Sequence, residues 1–457
     1  MDILAVLEKI NDFVWGPPLL VLLVGTGILL TIRLNLIQVL KLPKATKLIF
    51  KAENKGEGDI DSFAALCTAL AATVGTGNIV GVATAIGSGG PGALFWMWVA
   101  AFFGMATKYA EGVLAIKFRT VDENGQVSGG PMYYIEKGLG KKFKPLAIFF
   151  AFSGILVALL GIGTFSQVNS ISSSLNTVAG IDPRITSIIV AVIVAIIIFG
   201  GIKSISKVSE KLVPIMAIVY IVLTGIIIVV NFNMLGSAFI AIFEGAFNGT
   251  AAVGGFLGAT MAQAIQKGIA RGVFSNESGL GSAPIAAAAA KTEWPAEQGL
   301  ISMTGTFIDT IIICTLTGLT IIVTGSWNIE GVEGAAVTQN AFSMAFPTIG
   351  PMLLTICLAL FAFTTILGWC YYGERCLEYL AGVKGINAYR IVFVFMIALG
   401  GFLSLKEIWV LADIVNGLMA FPNLIGLLGL SGVVVNETKL YLAHIENKSP
   451  KEKNKTA

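Results

Sequence analysis

Read for runs of apolar residues, the chain divides into about eleven stretches long enough to cross a bilayer. Their approximate limits are 17–33, 63–86, 92–116, 146–172, 185–202, 212–231, 262–290, 299–324, 348–373, 389–405 and 409–432. Two of them break the apolar pattern in their middles. The second reads A-A-T-V-G-T-G-N over residues 71–78. Gly75 and Gly77 each weaken a helix by about 1 kcal/mol relative to alanine. A break there frees backbone N–H and C=O groups at a depth without bulk water, which survives only where protein or a cavity satisfies them. Small residues also permit close helix packing. Asn78, with Thr73 and Thr76, favours a site over a packing face. The seventh stretch repeats the oddity with Phe274, Ser275, Asn276, Glu277, Ser278, Gly279, Leu280, Gly281 and Ser282. A carboxylate such as Glu277 costs about 2.5–3.5 kcal/mol or more facing lipid, so it is expected to face the interior with a partner. Pro284 suits the first turn of a second half-helix.

Composition agrees with a polytopic, all-α membrane protein. Of 457 residues, 55% are hydrophobic and only 12% charged, against about a quarter charged in soluble domains. Mean hydropathy is +0.84. The net charge is +3 and the single histidine, His444, lies in the tail, which argues against a histidine relay or a histidine metal site. Cys67, Cys314, Cys357, Cys370 and Cys376 lie in or beside apolar stretches without metal-ligand spacing. The N-terminal MDILAVLEKINDF lacks the basic segment of a cleaved signal peptide.

Lysine and arginine set the expected orientation. Basic loops follow the first span (Arg33, Lys41, Lys44, Lys47, Lys51, Lys55), the third (Lys117, Arg119, Lys137, Lys141, Lys142, Lys144), the fifth (Lys203, Lys207, Lys211) and the ninth (Lys384, Arg390). The exits of the even-numbered spans are poor in basic residues. That alternation places the N-terminus outside and the C-terminus in the cytoplasm of a multi-pass cell-membrane protein. Lys267 and Arg271 are the exceptions; on the outer side they suit an access vestibule, a pairing with Glu277, or simple snorkelling. Residues 117–145 read as a cytoplasmic interfacial helix or a gate element. The tail from 447 reads as disordered.

The expected organisation is an extra N-terminal helix with its basic loop (1–60), a first five-helix unit (61–231), an outer connector (232–261), a second five-helix unit (262–435) and a basic cytoplasmic tail (436–457). Each five-helix unit opens with a broken span, and the two enter the membrane from opposite sides. That is the layout of an inverted-repeat secondary transporter. No catalytic constellation or P-loop is present, so neither an enzyme nor an ATP-driven pump is expected. Nothing points to nucleic acid or to a cofactor.

The stretches N-I-V-G-V-A-T-A-I-G-S-G-G-P-G-A-L-F-W-M-W (78–98), G-G-P-M-Y-Y-I (129–135) and G-V-F-S-N-E-S-G-L-G-S-A-P-I-A-A-A-A-A (272–290) resemble the alanine/glycine:cation symporter family. The resemblance covers nearly the whole chain. It implies a leucine-transporter-type 5+5 core preceded by one extra helix. It further implies sodium as coupling ion and small neutral amino acids as substrates: L-alanine, glycine and D-alanine.

A zwitterion needs donors for its carboxylate, acceptors for its ammonium and a wall for its side chain. Backbone N–H groups near Thr76 and Gly77, where a half-helix begins, suit the carboxylate, with an amide contact from Asn78. Freed carbonyls near Phe274 and Ser275, or near Ala72, suit the ammonium. Asn276 and Gly279 fall in the same second break and complete the candidate set. Gln167 is a candidate polar contact, with an interhelical hydrogen bond as the equal alternative. Phe165, Phe274, Met303 and Trp369 are candidate walls. By the resemblance, a sodium site takes carbonyls from Ala71, Val74 and Phe361 and hydroxyls from Thr364 and Thr365. Phe361, Thr364 and Thr365 share one helical face, and bonding back to the helix is the alternative use of the threonines. A second sodium site at Thr73, Asn78 and Ser275 is implied in the same way. The rivals are a proton-coupled carrier titrating Glu277 and a channel or sensor without turnover.

Overall fold

A computed structural model describes residues 3–248, 261–402 and 406–453. Apart from one two-stranded hairpin, every regular element described is helical. The N-terminal pair α1 (Ile3–Val14) and α2 (Pro17–Arg33) leads into a short helix α3 (Leu42–Lys51). The first broken span follows as α4 (Ser62–Thr73), a π-helical turn Gly77–Gly81 and α5 (Val82–Gly89), the halves bent by 52°. Then come α6 (Gly92–Lys117), the hairpin β1 (Thr120–Val121) with β2 (Val127–Ser128), α7 (Lys144–Leu160), α8 (Phe165–Ala179), α9 (Pro183–Ile198), α10 (Gly201–Val230) and α11 (Leu235–Phe247). The second broken span is α12 (Met261–Asn276) and α13 (Ala283–Ala288). It is followed by α14 (Pro295–Thr306), a π-helical stretch Phe307–Cys314, α15 (Thr315–Val323), α16 (Ala335–Ala345), α17 (Gly350–Ala381), α18 (Ile386–Leu399) and α19 (Lys406–Lys453).

Local chemistry starts several of these helices where the chain needs them. Asp61 accepts the Ala64 N–H at 2.7 Å and caps α4, and Asp182 accepts the Arg184 N–H at 2.8 Å and caps α9. Proline stands in the first turn of α2, α7, α9, α14 and α17, where its missing N–H costs nothing.

Among the described residues, seven helices are long and apolar enough to cross a membrane, and eight if α4 and α5 count as one span. The three other expected spans are present as shorter pieces. The spans expected over 185–202 and 389–405 fall mainly on α9 and α18, with 403–405 outside the described residues, and 262–290 is divided between α12 and α13. Helix α6 runs through the middle, with 83% of its apolar window buried, whereas α10 lies at the periphery with 33% buried. The outward faces of α9 and α10 carry Val192, Ile196, Ile218 and Val229, all exposed. Such a surface suits contact with hydrocarbon.

The span expected over 146–172 lies within the apolar span Lys141–Ala179, with a local interruption at 161–164 between α7 and α8. Two readings of the sequence are corrected. Residues 117–145 form a hairpin and short helical turns rather than an interfacial helix; Asp122 closes the hairpin by accepting the Asn124 and Gln126 N–H groups at 2.8 Å. Residues 447–453, expected as disordered, continue α19, which carries Pro450 within it. Part of the connector, 249–260, lies outside the described residues.

Candidate functional site

Helix α4 stops at Thr73, and Val74 leaves helical geometry at φ −78°, ψ 88°. The released Gly75 N–H donates to Asn78 Oδ1 at 2.8 Å. Asn78 thus seals the break with its acceptor. With its donor it reaches across to Asp309 Oδ1 at 2.7 Å and the Asp309 carbonyl at 3.2 Å. The glycines serve close approach. A Cβ on Gly77 would lie 3.3 Å from Ser275 Cα and 3.5 Å from the Phe274 ring. A Cβ on Gly75 would collide with Thr365 Oγ1. The first break therefore lies directly against the second break on one side and α17 on the other.

The second break runs from Glu277 to Ser282, with left-handed backbone at Glu277 (φ 56°), Gly279 (φ 90°) and Gly281 (φ 86°). Its backbone groups are taken up by buried side chains, as the bilayer interior requires. Lys108 Nζ donates to the Asn276 carbonyl at 2.8 Å, and Glu111 accepts the Gly279 N–H at 3.1 Å. Asn423 donates to Glu111 at 2.7 Å and to the Gly279 carbonyl at 2.9 Å. Asn276 accepts the Ser278 N–H at 2.9 Å and donates to Thr310 at 3.0 Å. The Glu277 carboxylate accepts Trp369 Nε1–H at 3.0 Å and the Ser282 hydroxyl. Arg271 instead lies 3.6 Å from Asp413 and over the Phe274 ring, so it is not the partner of Glu277.

Asp309 joins the two breaks. It is fully buried on the π-helical stretch between α14 and α15. Its Oδ2 accepts the Ser275 hydroxyl at 3.0 Å and the Thr310 hydroxyl at 2.7 Å, and its Oδ1 accepts from Asn78. Sequence reasoning missed it, along with Lys108, Glu111 and Asn423. A signal was present: Lys108 and Glu111 stand three apart inside an apolar span, and Asp309 interrupts T-F-I-D-T-I-I-I-C.

Of the residues expected to hold sodium, Ala71, Val74 and Phe361 are buried in one apolar cluster, and Thr365 meets the break at Gly75. The hydroxyls of Thr364 and Thr365 each donate to the Phe361 carbonyl at 3.0 Å. In the second expected set, Asn78 and Ser275 meet at Asp309, whereas Thr73 donates back to the Ala69 carbonyl at 3.1 Å. Of the substrate candidates, Thr76, Gly77 and Phe274 line a cavity of about 480 Å³ that also touches Glu8 and Asp12 of α1, Arg271 and Asp413. Phe165, Gln167, Ser275, Asn276 and Met303 are buried behind that surface. Gln167 Oε1 has no hydrogen-bond partner there, Trp369 is held by Glu277, and Gly279 by Glu111 and Asn423.

A membrane bundle in which two spans come apart and meet at buried polar groups is the architecture of an ion-coupled secondary transporter. The solved structure of MhsT in complex with L-phenylalanine has the same fold, with a TM-score of 0.51 at 14% identity over 84% of this chain and 99% of that one. The chain belongs to the sodium:alanine symporter family, whose model matches residues 1–456. It is 55% identical to an uncharacterized transporter of Haemophilus influenzae over 98% of each chain. It is 53% identical to the sodium/alanine symporter AgcS of Methanococcus maripaludis, over 96% of this chain and 98% of that one. The protein is therefore a multi-pass amino-acid:cation symporter.

Proposed function

We propose that the protein carries alanine and glycine into the cell together with sodium, by alternating access across the cell membrane. One observation carries this reading. The two breaks lie against each other at Gly77 and Ser275, and a cavity reaches Thr76, Gly77 and Phe274 from one end of the bundle. The distribution of lysine and arginine supports placing that end outside, with the N-terminus outside and the C-terminus in the cytoplasm. The N–H groups of Thr76 and Gly77 start the second half of the first broken span and suit a carboxylate. Carbonyls at Phe274 and Ser275 suit the ammonium. The close approach of Gly77 to Ser275 and the Phe274 ring narrows the inner end of the cavity, which favours alanine, glycine and D-alanine over larger side chains.

Two cation positions belong to this proposal, the first taken from the family resemblance. In the first, Ala71, Val74 and Phe361 supply carbonyls, and the hydroxyls of Thr364 and Thr365 turn from Phe361 to the ion. In the second, Asp309 takes the place expected of Thr73, beside Asn78 and Ser275. Hard oxygen donors suit an alkali cation. An ion at either position ties the first break to another helix, α17 or the π-helical stretch. By linkage, alanine then raises sodium affinity by the factor that sodium raises alanine affinity.

The decisive experiment is alanine uptake into sealed proteoliposomes with and without a sodium gradient. Accumulation against the alanine gradient, lost without sodium, is expected; simple equilibration overturns the reading. Thr364→Ala with Thr365→Val is expected to weaken the sodium dependence while the purified protein keeps its fold. The buried carboxylates Glu111, Glu277 and Asp309 outnumber the buried Lys108, which favours proton coupling as the second reading. Sodium-dependent uptake that survives Glu277→Gln without a proton requirement removes it.

A further inference from the structure

Where α2 ends, Asn35 and Leu36 both adopt left-handed backbone, at φ 52° and 54°. The chain turns sharply there and comes back against α19. Between the turn and α19 lies a cavity of about 250 Å³, well away from the two breaks. Arg33, Lys41 and Lys439 line it, together with Leu40, Val435 and Leu442, and no acidic residue does. The neighbouring Glu437 is buried and already engaged by Lys117 at 2.7 Å. The Arg33 guanidinium donates to the Ser431 hydroxyl, which fixes it at the cavity wall.

The surroundings are apolar and uncovered. Leu36, Val39, Leu40 and Leu440 are 47%, 50%, 66% and 52% exposed. Beyond them, α3 carries Lys44, Lys47 and Lys51 with Phe50 78% exposed, the pattern of a helix lying in a membrane interface. A soluble anion would neutralise the three cations and leave these side chains in water. A molecule with an anionic head and a hydrocarbon tail satisfies both. Basic pockets between helices at the basic end of a membrane protein hold such head groups.

We propose that this cavity is a binding site for an anionic phospholipid. Its phosphate sits among Arg33, Lys41 and Lys439, and an acyl chain runs along Leu36, Leu40 and Leu440. The test uses the full-length protein in a neutral detergent. Retained lipid is counted by native mass spectrometry and thermal unfolding is followed with phosphatidylglycerol, phosphatidylcholine or glycerol 3-phosphate. Phosphatidylglycerol alone is expected to be retained and to raise the melting temperature. Lys41→Gln with Lys439→Gln is expected to lower its retention by about thirtyfold and remove the shift. Undiminished retention in that variant, equal retention of phosphatidylcholine, or a full shift from glycerol 3-phosphate would each overturn the proposal. So would a wild-type dimer that becomes monomeric in the variant without losing lipid, since a second copy would then be the occupant. If the double variant does not fold, Lys439→Gln alone decides the matter with the same three probes.

Discussion

At the Arg271 end, the broken spans border a cavity of about 480 Å³, and the ion pair there, Arg271 with Asp413, is 3.6 Å long, its side chains 30% and 18% exposed. At the opposite end, the same two spans are bonded together. The Asp59 and Ile60 N–H groups, just ahead of α4, donate to the Ala289 carbonyl just past α13, and the Lys291 N–H returns to the Ile60 carbonyl at 2.8 Å. Arg119 then donates to the carbonyls of Ala288, Ala290, Thr292 and Glu57, at 2.6–3.2 Å. Below it the hairpin is fastened to α17. Asp59 accepts the Val127 N–H, and Arg375, 1% exposed, meets Asp122, Glu374 and Glu378 at 3.2, 2.9 and 2.6 Å. The asymmetry teaches where the conformational energy is stored. Passage through the Arg119 end requires breaking many short charged bonds, those of Arg375 fully buried, whereas the Arg271 end is held by one longer, partly buried pair.

The contrast can be tested from its strongest contact down. Arg375→Gln leaves three carboxylates facing an uncharged amide in a buried site. The expected loss is about 3–5 kcal/mol, read as a fall in melting temperature of the purified protein; an unchanged transition would mean that the Arg119 end is not the fixed one. Arg119→Ala removes charge-assisted bonds to four carbonyls. A cost of about 1.5–3 kcal/mol is expected, seen as faster labelling of Cys67 by a permeant-excluded thiol reagent applied from the Arg119 side, with slower alanine uptake. Asp413→Asn touches only that single long pair. Its effect is expected to be the smallest, about 1 kcal/mol, read as a small change in the alanine concentration for half-maximal uptake.

Both breaks were legible because Asn78 in the first and Glu277 in the second add costly polar groups to the small residues, which a packing face alone does not need. What joins them was not. Asp309, Lys108, Glu111 and Asn423 are single polar residues in otherwise apolar helices. A sequence shows the cost of burying each, but its partners lie far along the chain: Asn78 and Asp309 are 231 residues apart. The hydroxyl of Thr73 looked available and is spent on its own helix, a use that spacing cannot distinguish from ligation. The interruption at 161–164 is written G-I-G-T, which reads equally well as a close-packing face. The hairpin at 120–128 owes its place to Arg375 and Asp59, and neither announces that role locally.

The stretch Phe307–Cys314 is wound with i→i+5 bonds, which accommodates more residues per turn than an ordinary helix. Such a segment holds a surplus, and a surplus can be given back. Tightening it by one residue would swing everything on one side of it by about 100° relative to the other. Asp309 would then face away from Ser275 and Asn78. For the cation position proposed at Asp309, a change of winding in this one helix would then take apart the ligand set without moving the helix through the bilayer.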